Sequence, residues 1–348
     1  MALSNASQID VIKQGLFKTP VKTVIADRNY RFLQDKLFGL PSQGTRDDFL
    51  MLDYKSVGVA LPAEALKGAD PTRVNYGTGF NEKAIFGQYY NNEDEIATDQ
   101  ADNRIFGEDI NAPLSHEERL VALLAEKRDR IIASHDLAFE KACADVLLNG
   151  SFTARGGSQS FPMTSALLSV SGANMSTSPI SVIGGGIKKL LKVAGGKPTQ
   201  LILNPDDAAT MAESSAWKGI FDNRRMFESE YRPTDEMDGL APIGTLALPG
   251  VGSIKVYAYY GAYDVSGTWT YFIPQGKAIL APERVGFKGY CGVYVDNGIF
   301  SGKEGVDHGV HIWAKEGALP HTTHVQVQSA PCPMLTAIDR YCVFTSIS

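Results

Sequence analysis

The sequence lacks most features that announce chemistry or a membrane. Its four cysteines (Cys143, Cys291, Cys332 and Cys342) stand far apart and form no CxxC pair, which excludes the usual spacings of zinc and dithiol motifs. Such sparse thiols fit a reducing compartment, where they serve as small buried apolar groups. No apolar run approaches the roughly 18 residues that a membrane span needs. The opening MALSNASQIDVIKQG has no charged start, apolar core or small-residue cleavage site, so no secretory leader is expected. No run of lysine or arginine with interleaved aromatics occurs, and the net charge is −6 over 348 residues. That balance argues against gripping nucleic acid over a broad basic face. An acidic protein can still enclose DNA without binding it.

Catalytic signatures are missing as well. The stretch SVIGGGIKKLL (Ser181 to Leu191) holds three glycines before two lysines, which invites a phosphate-cradle reading. A Walker loop needs G-x-x-x-x-G-K-[ST] so that backbone N–H groups curl round phosphate oxygens. Here Lys188 follows Gly186 by two, and no Ser or Thr follows the lysines. Around Gly195-Gly196-Lys197, Leu191 stands where the first glycine belongs and Pro198 where the hydroxyl belongs. Ile180, Ile183, Ile187, Leu190 and Leu191 keep helical spacing through the triplet, which predicts a helix whose glycines allow a close approach. His308-x-x-His311 and His321-x-x-His324 look like paired ligands, yet residues three apart in extended chain point to opposite faces. No G-x-S-x-G elbow exists, and Asp206-Asp207 suit helix capping. No cofactor, metal or catalytic residue is expected, and the chain is read as no enzyme.

What is present is architecture. DFLMLDYKSVGVALP (Asp48 to Pro62) and KAIFGQYYNN (Lys83 to Asn92) are β-rich and flank a Gly-, Asp- and Pro-rich segment, which predicts a long hairpin with a broad tip. Such a hairpin is marginal alone in water. Its residues Phe49, Met51, Leu52, Val57, Val59, Ile85 and Phe86 need a surface to cover, and a neighbouring subunit is the simplest supplier. Leu114 to Gly150 then reads as one very long helix over 115–148. Ser115 and Glu118 form a capping box and Asn149-Gly150 a stop. Leu120, Leu124, Ile131, Ala138, Ala142 and Val146 share one stripe, with Glu118, Asp129, Asp136 and Glu140 opposite. SFTARGGSQSFPM reads as a second hairpin. From Ser178 a compact α+β unit follows, with Asn204-Pro205 opening a helix and Ser266-Gly267 as a turn. HVQVQSAP is read as the last strand, ending at Pro331.

Charge is uneven. The first 46 residues carry Lys13, Lys18, Lys22, Arg28, Arg31, Lys36 and Arg46 against three aspartates, whereas residues 91–118 hold Glu93, Asp94, Glu95 and six further carboxylates against Arg104. Both are read either as solvated faces or as a basic arm laid across an acidic surface.

LILNPDDAAT, FIPQGKAILAP, GYCGVYVDN and HVQVQSAPCPML resemble the major capsid protein E family of lambda-type tailed phages. The order and spacing of these stretches carry the resemblance from about Thr199 onward. It implies an α+β Hong Kong 97-type capsid fold. Residues 1–45 would form the N-terminal arm and 46–110 an extended hairpin, the E-loop. Residues 111–177 and 319–348 would form a peripheral domain with the spine helix, and 178–318 a compact axial domain. It further implies hexamers and pentamers that tile an icosahedral head around double-stranded DNA. Assembly would take place in the bacterial cytoplasm, with a scaffold, a portal and a decoration protein as partners. An encapsulin-type compartment, which shares the fold and encloses cargo protein, is the alternative. The contacts expected between copies are Phe49, Met51, Val57, Val59, Ile85 and Phe86 on the hairpin, Lys13, Lys18 and Lys22 on the arm, and Glu93, Asp94 and Glu95 facing the arm.

Overall fold

The computed structural model describes residues 30–39, 42–57, 78–103, 105, 114–171, 175, 177–193, 196–217, 239–248, 252–295, 305–316 and 322–347. The long helix runs His116–Asn149. Ser115 Oγ accepts the Glu118 N–H and the Glu118 carboxylate accepts the Ser115 N–H, so the capping box closes in both directions. Gly150 ends the helix at φ 66°, a left-handed geometry that a side chain would strain. The hairpin Ser151–Ala154 and Gly157–Ser160 follows at once.

A mixed six-stranded sheet forms the centre. Its order is Val170–Ser171, Cys342–Thr345, Lys277–Ala281, Gln200–Leu203, Gly252–Tyr259 and Leu240–Leu248. Alternation along these strands divides the core in two. Ile202, Tyr259, Ile279 and Val343 face the cluster around Phe139, Val146 and Leu147 of the long helix. Leu201, Leu203, Ala278, Leu280 and Phe344 face Ile183, Ile187 and Leu190 of helix Pro179–Val193 and Met211 of helix Pro205–Glu213. With both faces covered, these strands read as continuous apolar runs. The glycine triplet lies inside helix Pro179–Val193. A Cβ on Gly186 would come 2.5 Å from Phe344 Cζ, so an aromatic ring makes the close approach here; Gly184 and Gly185 face nothing within 4 Å.

Strand pairing cuts across the expected segment limits. The return strand of the long hairpin is Thr78–Phe86, paired with Phe49–Val57. The pairing ends at Phe86, and after Gly87–Tyr89 the strand Tyr90–Ala97 leaves the hairpin for a three-stranded sheet with Thr322–Ser329 and Val310–Glu316. HVQVQSAP is not the last strand. Pro331–Leu335 and Cys342–Thr345 follow it, the latter in the central sheet beside Lys277–Ala281. Two prolines hid strand Pro331–Leu335. It sits at the edge of its own three-stranded sheet, where a missing N–H is tolerated.

Residues 30–39 fold onto the body. Leu33–Leu37 makes one π-helical turn, and Phe32, Leu33, Leu37 and Phe38 are buried in the cluster of the long helix. Among the described residues, no helix is long and apolar enough to cross a membrane.

Candidate assembly surface

The long hairpin shows two different faces, fixed by its register. Phe49 lies opposite Phe86, Leu50 opposite Ile85, Met51 opposite Ala84 and Leu52 opposite Lys83. Opposed residues share a face. Leu50, Leu52, Lys83 and Ile85 turn to the subunit's own body: Ile85 is fully buried, and Lys83 Nζ donates to Ser160 Oγ at 2.8 Å. Phe49, Met51 and Phe86 lie on the opposite face, where Arg155 of the short hairpin partly covers the Phe86 ring. Met51 is 50% exposed, and the Phe49 and Phe86 rings meet edge-on at 5.8 Å. Ile85, expected at a contact between copies, is thus a correction: it belongs to the other face and to its own core. Val57 is paired with Thr78 through the backbone; Val59 lies outside the described residues.

The short hairpin holds the root of the long one. Gln159 Oε1 accepts the Phe86 N–H at 3.3 Å, and Gln88 Nε2 donates to Thr153 O at 2.8 Å. Arg155, at φ 51° in the turn beside Gly156, lies 5.2 Å from the Phe86 ring centre and pairs with Asp48 at 2.9 Å. Sequence reasoning did not single out Arg155. The left-handed Arg-Gly turn in TARGG was the available signal.

The acidic strand divides in the same way. Asn92, Asp94 and Ile96 face the long helix: Lys127 Nζ donates to Asp94 at 2.9 Å, Asn92 Oδ1 lies 3.0 Å from His135 Nε2, and Ile96 is buried against Leu120 and Leu124. Glu93 and Glu95, on the alternate face, are exposed. Asp94 therefore has a partner within its own subunit. The arm lysines Lys13, Lys18 and Lys22 lie outside the described residues.

The arm's root supplies a contact that the sequence hid. Glu140, read from helical periodicity as solvent-facing, is fully buried. Its Oε1 accepts the Leu33 N–H at 2.7 Å and the Tyr259 hydroxyl at 2.5 Å, while Oε2 accepts the Gln34 N–H at 2.9 Å. Burial pushes its pKa up to about 8 against these three bonds, which pull it down. Arg31 pairs with Asp136 one turn earlier, and Lys288 Nζ donates to Gln34 Oε1 at 3.0 Å. The C-terminal part of the helix's polar stripe, Asp136 and Glu140, is thus covered by residues 30–39. Among the described residues, no group of three or more His, Cys, Asp and Glu is placed to hold a metal ion.

A mixed core, a hairpin with one face left partly uncovered and a long helix are the parts expected of a shell-forming subunit. The comparisons agree with that class. A prophage capsid protein from Escherichia coli CFT073 superposes with a TM-score of 0.65 at 17% identity over 100% of both chains. The mature capsid of bacteriophage PhiM1 gives 0.51 at 7% identity, covering 94% of this chain and 90% of that one. These likenesses show the Hong Kong 97-type fold. The encapsulin SrpI from Synechococcus elongatus PCC 7942 reaches 0.44 at 14% identity over 100% of this chain and 97% of that one, too low a score to carry weight. No curated protein matches the chain. The family model for phage major capsid protein E matches residues 21–346, and the chain belongs to that family.

Proposed function

We propose that this capsid protein builds the icosahedral head of a tailed phage from hexamers and pentamers of itself, enclosing double-stranded DNA without reading its sequence. The observation that carries this reading is the outward face of the hairpin, where Phe49, Met51 and Phe86 lie together with Met51 half exposed. A second copy is the partner of matching chemistry, because the same apolar need recurs on every subunit. Each such contact is weak, and closure of a shell multiplies it. Residues 1–45 act as the arm and 46–110 as the E-loop region, with 111–177 and 319–348 as the peripheral part and 178–318 mostly as the axial part. The net charge of −6 suits a container that does not grip its contents. The role is structural rather than catalytic. Assembly takes place in the host cytoplasm with a scaffold, a portal and a decoration protein, and the final location is the virion head.

Negative-stain electron microscopy of the purified protein, followed by nuclease treatment and extraction of the particle contents, tests this. Closed icosahedral shells protecting DNA are expected from infected cells. Shells filled with protein cargo would instead favour a compartment, and a persistent monomer would overturn the proposal.

A further inference from the structure

Two helices cover the same side of the central sheet over different strands. Helix Pro179–Val193 packs on strand Cys342–Thr345, where Gly186 meets Phe344, and helix Pro205–Glu213 packs on strand Gly252–Tyr259. Each turns one face to solvent, and the two faces are unlike. On the first, Lys188 and Lys192 are exposed one turn apart, with Ile180 and Leu191 beside them at 43% and 40% exposure. This helix holds three lysines and no carboxylate. On the second, Asp206, Ala209, Thr210 and Glu213 are exposed at spacings of three and four, which puts them on one face. That helix holds three carboxylates and no cation.

Among the described residues, no ion pair takes up Lys188, Lys192, Asp206 or Glu213. One subunit thus carries two uncovered helix faces of opposite sign, the arrangement that fixes register between copies. The glycines of the triplet point the same way. Glycine weakens a helix interior, yet a Cβ on Gly184 or Gly185 would meet nothing within 4 Å. The subunit's own packing gives no reason for either, whereas a second helix laid on this face could approach more closely without those side chains.

We propose that the exposed face of helix Pro179–Val193 is an interaction surface for helix Pro205–Glu213 of a second copy. The contact brings the small residues Ala209 and Thr210 against Gly184 and Gly185 and leaves Asp206 and Glu213 within reach of Lys188 and Lys192. Ile180 and Leu191 lose their exposure to water at its edge. Because the two faces differ, the contact runs head to tail from copy to copy and closes a ring where the rotation fits. The inference rests on the head-building reading above and assigns the contact between neighbours within one ring.

The test is zero-length coupling with a water-soluble carbodiimide, which joins a lysine amine to a carboxylate only where the two touch. Full-length protein is assembled from an equal mixture of copies grown on light and heavy nitrogen, and the linked peptides are mapped by mass spectrometry. In closed shells the expected product joins Lys188 or Lys192 to Asp206 or Glu213, and mixed light–heavy pairs show that it spans two copies. Soluble single subunits should lack it. The variant Lys188→Glu with Lys192→Glu should keep the melting temperature of the unsubstituted protein and lose closed shells. Shells without this link, the same link inside soluble single subunits, or normal shells from the variant would each overturn the proposal while the head-building reading stands. Unsubstituted protein that never forms shells would overturn both.

Discussion

Residues 30–39 and the long hairpin both lie outside the central sheet, yet they meet the body in opposite ways. The arm's root gives up its freedom entirely: Phe32, Leu33, Leu37 and Phe38 are buried, Glu140 satisfies two of its backbone N–H groups, and Arg31 pairs with Asp136. The hairpin commits one face only. Leu52, Lys83 and Ile85 are held by the body, while Phe49, Met51 and Phe86 lie on the other face, where Met51 is half exposed. The difference teaches that a protruding segment is available to a neighbour only on the face that its register leaves uncovered.

The largest expected effect breaks the hairpin side. Replacing Met51 by Asp should leave a folded subunit with an unchanged melting temperature and no closed shells in electron micrographs. Normal shells from this variant would show that the outer face contributes nothing to assembly.

The arm side should respond through stability instead. Glu140→Gln sets an amide N–H₂ against one of three donors, and the orphaned buried donor costs about 1–3 kcal/mol in a urea melt of the soluble subunit. The same residue gives a pH signature. Its folded pKa of about 8 lies above the ordinary 4.5, so the folded state holds a proton that the unfolded chain has released. Stability from this group is full below pH 4.5 and is lost as pH rises toward about 8, at up to about 1.4 kcal/mol per pH unit. Subtracting the Glu140→Gln profile from that of the unsubstituted protein should isolate this slope, and parallel profiles would refute the assignment.

Smaller effects sharpen the picture on helix Pro179–Val193. Gly186→Ala should destabilise, because its Cβ would press on Phe344, an overpacking worth about 1–3 kcal/mol. Gly185→Ala meets nothing within 4 Å and should stabilise the isolated subunit by up to about 1 kcal/mol through helix propensity. Thermal melts of both variants check the opposite signs.

Much of this was legible in the sequence. The long helix was readable because its ends carry their own chemistry, Ser115 with Glu118 and Asn149 with Gly150. The Ser266-Gly267 turn was readable because both residues adopt left-handed φ, 53° and 87°. The limits of the hairpin were harder, since KAIFGQYYNN is β-rich throughout and only tertiary pairing splits it at Gly87. Glu140 was misread because helical periodicity separates polar from apolar residues but does not say which polar face another segment will cover. Ile85 was misread for a related reason: a two-residue period assigns faces only once the cross-strand register with Leu50 is known.

The central claim is that another copy covers the hairpin's outer face. Methionine oxidation footprinting reads this directly, by comparing the rate of sulfoxide formation at Met51 in soluble subunits and in closed shells. Coverage predicts a rate at least roughly tenfold lower in shells, because oxidation follows exposure. Equal rates in the two states would contradict the account.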